Sequence, residues 1–316
     1  ALPRSLLVKK KKGESNIAGK SIVYARTLQN SGMSESRFGP DAPKLGWGHD
    51  ILFLHGFPGS GRHFYGRVRS FLRYFHKAIA TNTTFLDSPH ELPQRQQPPP
   101  PLEGEEKGSE KGEGEGGEEK AKKEGFREGK APSNKGGRYR CWWYIDEKDP
   151  WNTEGYLDAE KLYGFEESIR KIDEKICEER VPCIFGFSQG GSIAAVYVTL
   201  LAMKKHPEKV EVLPAWLSSL VMELKGHMPT VVVVASGYWP NQPDLNKVFE
   251  LMQGRVDCKI IAVLSKSDES VPAEYTKRLE GLCPASSFFL IERGGKHAFP
   301  TKKKDVDNVL DTLVAC

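Results

Sequence analysis

Short, unbroken apolar runs mark the predicted strands of this chain. Ile51-Leu52-Phe53-Leu54 stops at His55-Gly56, and Thr83-Thr84-Phe85-Leu86 stops at Asp87-Ser88-Pro89. Between them, Phe71-Leu72-Arg73-Tyr74-Phe75 predicts a helix packed behind the strands. Val181-Pro182-Cys183-Ile184-Phe185, Thr230–Ala235, Cys258–Leu264 and Ser287–Ile291 repeat the strand pattern. Runs that are apolar throughout fit strands covered on both faces, as in a parallel sheet. Leu162, Phe165, Ile169, Ile172 and Ile176 recur at helical spacing, as do Ile193, Val196, Leu200 and Met203. Further helices are expected at 244–253, 272–281 and 304–314. Strands alternating with helices predict an α/β fold, a mostly parallel, doubly wound sheet with helices on both faces. Sites in such sheets form at the carboxyl ends of the strands. The loops after Leu54, Phe185, Ala235, Leu264 and Ile291 are therefore the places to look for chemistry.

The pattern breaks at 98–137. This stretch opens with four prolines, which favour an extended segment, and continues with ten Gly, ten Glu, seven Lys and one Arg. Its apolar residues are Leu102, Ala121, Phe126 and Ala131, too few to offset the entropy of ordering it. We expect a disordered, charged, Gly-rich insert at 94–138, carried in a surface loop at small closure cost. With the polar N-terminal extension 1–49 set aside, 50–316 reads as a single α/β domain interrupted by that insert.

Composition narrows the function class. No run of about 18 apolar residues predicts a membrane span. Ala1–Val8 is followed, not preceded, by Lys9–Lys12, the wrong order for a secretory signal. The six cysteines (Cys141, Cys177, Cys183, Cys258, Cys283 and Cys316) show no CxxC spacing, which argues against a zinc site and a disulfide framework and for a reducing compartment. The formal charge of +4 owes much to Lys9–Lys12 and Lys302–Lys304. No aromatics interleave with these lysines, so solvated runs are expected rather than a nucleic-acid surface. The expected location is cytoplasmic, with the nucleus as the alternative.

The loop after Phe185 reads Gly186-Phe187-Ser188-Gln189-Gly190, a G-x-S-x-G between an apolar strand and an apolar helix. In a nucleophile elbow the serine sits in a strained turn, and its neighbours two before and two after must lack side chains. An ordinary Gly-rich turn is the plain alternative. A serine hydroxyl needs a base, and His297 lies in Arg293-Gly294-Gly295-Lys296-His297 on the last strand-end loop. Asp268, in the loop after Leu264, would orient the imidazole. Alone it reads equally well as a helix cap, and Asp257 and Glu269 are weaker candidates for the acid. The order Ser188, Asp268, His297 is that of α/β-hydrolase triads. Backbone N–H groups of Phe57 and Gln189 are the expected oxyanion donors, with Gly59 second to Phe57 because Pro58 has no N–H. His55 at the end of the first strand is assigned to shaping its loop, not to catalysis.

Together these residues resemble the FSH family of eukaryotic serine hydrolases, a branch of the α/β-hydrolases. The resemblance rests on Leu54-His55-Gly56-Phe57, Leu86-Asp87-Ser88-Pro89-His90, the Arg140–Trp143 block, Gly186–Gly190, Ser236-Gly237-Tyr238, Asp268–Pro272 and Gly294–Pro300. It implies an α/β-hydrolase fold without cofactor or metal, carboxylic-ester hydrolysis, and triad positions at Ser188, Asp268 and His297. The chain departs from the pattern at Lys296, which stands between Gly-Gly and His. It departs again at Ser265, where Gly is usual, and at Gly191, where a small residue such as Ala is common. Gly-Phe-Ser-Gln-Gly-Gly is also typical of acyl-protein thioesterases.

The expectation is a serine esterase acting on a small acyl ester or thioester through an acyl-enzyme. An acyl-protein thioesterase that removes palmitate is the near alternative, and a non-catalytic binding protein on a hydrolase fold the distant one. Trp142, Trp143, Tyr238 and Trp239 are candidates for an acyl pocket, with core packing as the plain alternative. Nothing in the sequence addresses oligomeric state.

Overall fold

The computed structural model describes residues 50–78, 82–94 and 138–315. The N-terminal extension and most of the expected insert lie outside the described residues.

Six strands form one sheet: β1 (Asp50–Leu54), β2 (Asn82–Leu86), β5 (Cys183–Phe187), β6 (Val231–Ala235), β7 (Lys259–Ser265) and β8 (Phe288–Arg293). Their order is β2-β1-β5-β6-β7-β8, and every neighbouring pair is parallel. The central strands are buried on both faces, β5 and β6 along their whole length, which is why they read as continuous apolar runs, while edge strand β8 is only partly covered. A separate two-stranded antiparallel pair joins β3 (His90–Glu91) to β4 (Arg140–Cys141). It was not expected from sequence, and it brings together the two ends of the segment that runs from 94 to 138.

The helices are α1 (Gly61–Ala78), α2 (Phe165–Glu179), α3 (Gln189–Met203), α4 (Pro207–Val210), α5 (Ala215–Glu223), α6 (Pro243–Met252), α7 (Ala273–Lys277) and α8 (Lys303–Ala315). The expected 272–281 helix is split, with α7 passing into a 3-10 turn at Arg278–Leu282. Two apolar clusters flank the sheet. On one face Phe53, Phe64, Phe71, Phe75 and Phe185 pack with Val306, Val309 and Leu310 of α8. On the other, α2, α3, α5 and α6 contribute Ile169, Ile172, Val196, Leu217, Leu220 and Leu245. All fifteen residues of α3 are buried, as expected of a helix with apolar residues on every side.

The first crossover leaves β1 toward β2 at one edge. The later strands build the sheet in the opposite direction, from β5 to β8. The ends of β1 and β5 therefore flank a topological switch point, where ligands bind in open α/β sheets.

Phe53 sits at the centre of the aromatic cluster, with ring centroids 4.7 Å from Phe85 and 5.2 Å from Phe185. Phe53→Ala is expected to lower unfolding free energy by about 3–5 kcal/mol. Tyr74→Ala on the exposed side of α1 should change it little. Urea denaturation of both variants checks the contrast.

Candidate active site

The elbow forms because backbone meets backbone. A Cβ on Gly186 would lie 2.4 Å from the Gly190 carbonyl oxygen, and one on Gly190 would lie 2.4 Å from the carbonyl oxygens of Leu54 and His55. Only glycine fits at either place. Between them Ser188 adopts φ 52°, ψ −124°, a conformation that costs a non-glycine residue on the order of 1–3 kcal/mol. It stands at the start of α3, where the helix's first N–H groups are unpaired and its dipole is positive.

The loop after β1 lies against it. A Cβ on Gly56 would come within 3.1 Å of Ser188 Cβ. Next in sequence is Phe57, and neither its N–H nor that of Gln189 donates to another described residue. Two backbone donors, one on the β1 loop and one at the first residue of α3, thus have no partner among the described residues.

His55 frames this loop. Its Nε2 accepts the Ser88 N–H at 3.2 Å, so Nδ1 carries the proton and donates to the Gly56 carbonyl at 2.9 Å. Burial pushes its pKa down to about 4, against smaller opposing effects of the Gly56 carbonyl and Asp87. The ring is neutral and fully engaged, matching the structural role read from sequence. Asp87 accepts the Gly61 N–H at 2.6 Å at the start of α1, and Arg140 donates to the Ser88 and Pro89 carbonyls at 3.0 and 3.1 Å.

Across the elbow, His297 Nδ1 donates to Asp268 Oδ2 at 2.8 Å, with Oδ1 at 3.1 Å. That fixes the tautomer and leaves Nε2 as the basic nitrogen. The His297 ring lies 4.9 Å from the ring of Phe187, the residue before Ser188. Among the described residues no hydrogen bond joins the Ser188 hydroxyl to His297. The inserted Lys296 has not carried the imidazole away from its carboxylate.

The Asp268 side chain is 1% exposed. Burial alone would raise its pKa, but the His297 hydrogen bond, the Val271 N–H and the nearby imidazole outweigh this and hold it below the usual carboxylate range. Its Oδ1 also accepts the Ser270 and Val271 N–H groups at 3.0 and 2.9 Å. One carboxylate thus meets the imidazole-partner reading of Asp268, whereas the helix-cap reading is not met: Ser270 and Val271 precede α7, whose N-cap is Pro272 without a side-chain hydrogen bond. The Ser236 hydroxyl is buried near Asp268 without completing a hydrogen bond. Asp257 instead pairs with Lys205 on the surface.

The four aromatic pocket candidates belong to the core. Trp142, Trp143, Tyr238 and Trp239 are at most 1% exposed and pack in the larger apolar cluster. Trp142 Nε1 donates to the His55 carbonyl at 2.7 Å and its N–H to Gln189 Oε1 at 2.8 Å, while Gln189 Nε2 donates to the Trp143 carbonyl at 2.8 Å. These bonds of Trp142 and Trp143 tie the elbow residue Gln189 and the end of β1 together. A groove of about 320 Å³ is lined by Leu162, Tyr163, Phe165, Trp216 and Leu245, and neither Ser188 nor His297 borders it. Among the described residues, no cluster of three or more His, Cys, Asp or Glu could hold a metal ion.

The family model described as serine hydrolase (FSH1) matches residues 48–309. No curated protein matches the chain. Among solved structures it is similar to SOBER1 of Arabidopsis thaliana, at 14% identity and TM-score 0.42, covering 84% of this chain and 97% of that one. It is also similar to Zea mays acyl-protein thioesterase 2 (14%, 0.44, 84% and 93%) and to a Paleococcus ferrophilus monoacylglycerol lipase (11%, 0.45, 84% and 94%).

Because the pKa of His55 is depressed on folding, the unfolded chain binds the extra proton first. The contribution of His55 to stability is complete above pH 6.5 and is lost as pH falls from 6.5 through about 4, an effect on the order of 3 kcal/mol. His55→Gln should be less stable at neutral pH yet lose less on acidification. Urea midpoints measured on both sides of that window check the sign.

Proposed function

The chain belongs to the FSH1 serine hydrolase family, with an α/β-hydrolase fold, and we propose that it cleaves carboxylic esters through an acyl-enzyme on Ser188. The observation that carries this reading is the His297–Asp268 hydrogen bond beside the Ser188 elbow. Ser188 Oγ attacks the acyl carbonyl while His297 Nε2 takes its proton. The N–H groups of Phe57 and Gln189 receive the oxyanion. Asp268, ionised and buried, holds the imidazole tautomer and balances the imidazolium. The tetrahedral adduct collapses as His297 returns the proton to the leaving oxygen. His297 then deprotonates a water that attacks the acyl-enzyme, releasing the acid and restoring Ser188.

These steps use only this chain's side chains and backbone, so no cofactor is invoked. The same chemistry cleaves thioesters, and a chain-length series of esters and thioesters separates the two substrate classes. Among the described residues no helix is long and apolar enough to cross a membrane. The five described cysteines are free thiols, which supports our placing the protein in the cytoplasm. We also propose one catalytic domain from residue 50 onward. The pairing of β3 with β4 supports this, since it returns the chain to the domain beside the point where it leaves.

Fluorophosphonate labelling should fall on Ser188, mapped by mass spectrometry, and vanish in Ser188→Ala. Turnover in that variant should drop to the about 10³–10⁴-fold over water that survives loss of a triad member. Unlabelled, well-folded wild type, or an active Ser188→Ala, overturns the reading.

A further inference from the structure

His297 is reached through Gly294-Gly295-Lys296, one residue longer than the family's Gly-Gly-His. A longer loop has more conformations to lose, yet the imidazole meets Asp268 at 2.8 Å. The backbone on either side of it is fastened. Arg293 Nη1 donates to the Gly294 carbonyl at 3.2 Å, and Nη2 to the carbonyls of Lys296, at 3.0 Å, and Ala298. The Ser265 hydroxyl donates to the Gly295 carbonyl. Four carbonyls within five residues, on both sides of His297, are thus held by two side chains. Those two residues are register partners, Ser265 at the end of β7 and Arg293 at the end of β8. The clamp is therefore built into the sheet rather than into the loop. Gly295, at φ 104°, supplies the reversal that only glycine makes easily. Two of the departures from the family pattern, Lys296 and Ser265, meet at this loop, and the hydroxyl that glycine would lack takes up the carbonyl preceding the extra residue.

We infer that Arg293, with Ser265, is a positioning residue that sets the place of His297 in the triad. The inference rests on the reading of His297 as the base. Arginine suits the task because its planar fork spans several acceptors at fixed angles, whereas a lysine ammonium is a single mobile donor group. A displacement of about 1 Å at a reacting group can cost about 10²-fold in rate.

The test compares wild type, Arg293→Ala, Arg293→Lys, Ser265→Ala and His297→Ala on a chromogenic acyl ester, with melting curves for each. Arg293→Ala should lose about 10²-fold in kcat with KM unchanged, and its Ser188 labelling rate should fall in parallel. Millimolar guanidinium should restore part of this activity in Arg293→Ala and none in His297→Ala. Arg293→Lys should be nearly as slow as Arg293→Ala, and it serves as the test if the alanine variant does not fold. Ser265→Ala should fall in the same direction by a smaller factor. Wild-type kcat in Arg293→Ala, or a loss that comes with a lowered melting temperature and no response to guanidinium, overturns the clamp. If His297→Ala turns over like wild type, the triad reading fails with it. An inactive His297→Ala beside a fully active Arg293→Ala removes the clamp alone.

Discussion

The site depends on one steric constraint, the contact of α3 with the ends of β1 and β5 at backbone distance. Gly190 rides on the carbonyls of Leu54 and His55, and Gly186 on that of Gly190. No side chain fits in either gap. That contact draws the buried helix to the switch point of the sheet, forces Ser188 into a left-handed turn and sets the β1 loop against it. The serine's geometry, the helix dipole behind it and the two free N–H groups beside it all follow from the same close approach.

Around that contact two histidines meet opposite fates. His55 is enclosed, both ring nitrogens are committed to backbone, and burial keeps it neutral. His297 sits at the rim with its side chain 22% exposed, one nitrogen given to a buried carboxylate and the other left basic. The division follows from position along the strands. A ring at the end of a central strand is covered by the next loop, whereas one on the last strand-end loop faces solvent on one side. Gln189 joins the two halves, its backbone N–H beside the serine and its side chain locked to Trp142 and Trp143.

Much of this was legible in the sequence. Apolar runs located all six strands of the sheet to within about two residues, most clearly the central ones, where burial on both faces leaves no polar position to confuse the period. The order of Ser188, Asp268 and His297 on the loops after β5, β7 and β8 was readable once those strands were located. Four features were not. The β3–β4 pair is too short for any period to register. The helix Ala215–Glu223 is apolar on more than one side and carries no clear stripe. Trp142, Trp143, Tyr238 and Trp239 have the composition of either an acyl pocket or a core, and only their packing decides between them. Arg293 was passed over because a charged residue at a strand end reads as solvated. Its role depends on three carbonyls that no linear pattern announces.

The paired strands β3 and β4 carry one further consequence. His90 stands opposite Cys141, and the Leu92 N–H meets the Tyr139 carbonyl at 2.8 Å, so the chain leaves and re-enters the domain through one narrow doorway. The described residues at the two ends of 94–138 thus meet at one point, in a strand pair separate from the six-stranded sheet. Such a doorway is a natural place to open the polypeptide. New termini cut there, with the old ones joined elsewhere, would divide the sequence between β2 and β5 while leaving Ser188, Asp268 and His297 on one continuous piece. The molecule is in this sense modular at one address, able to vary in length there without rebuilding its chemistry.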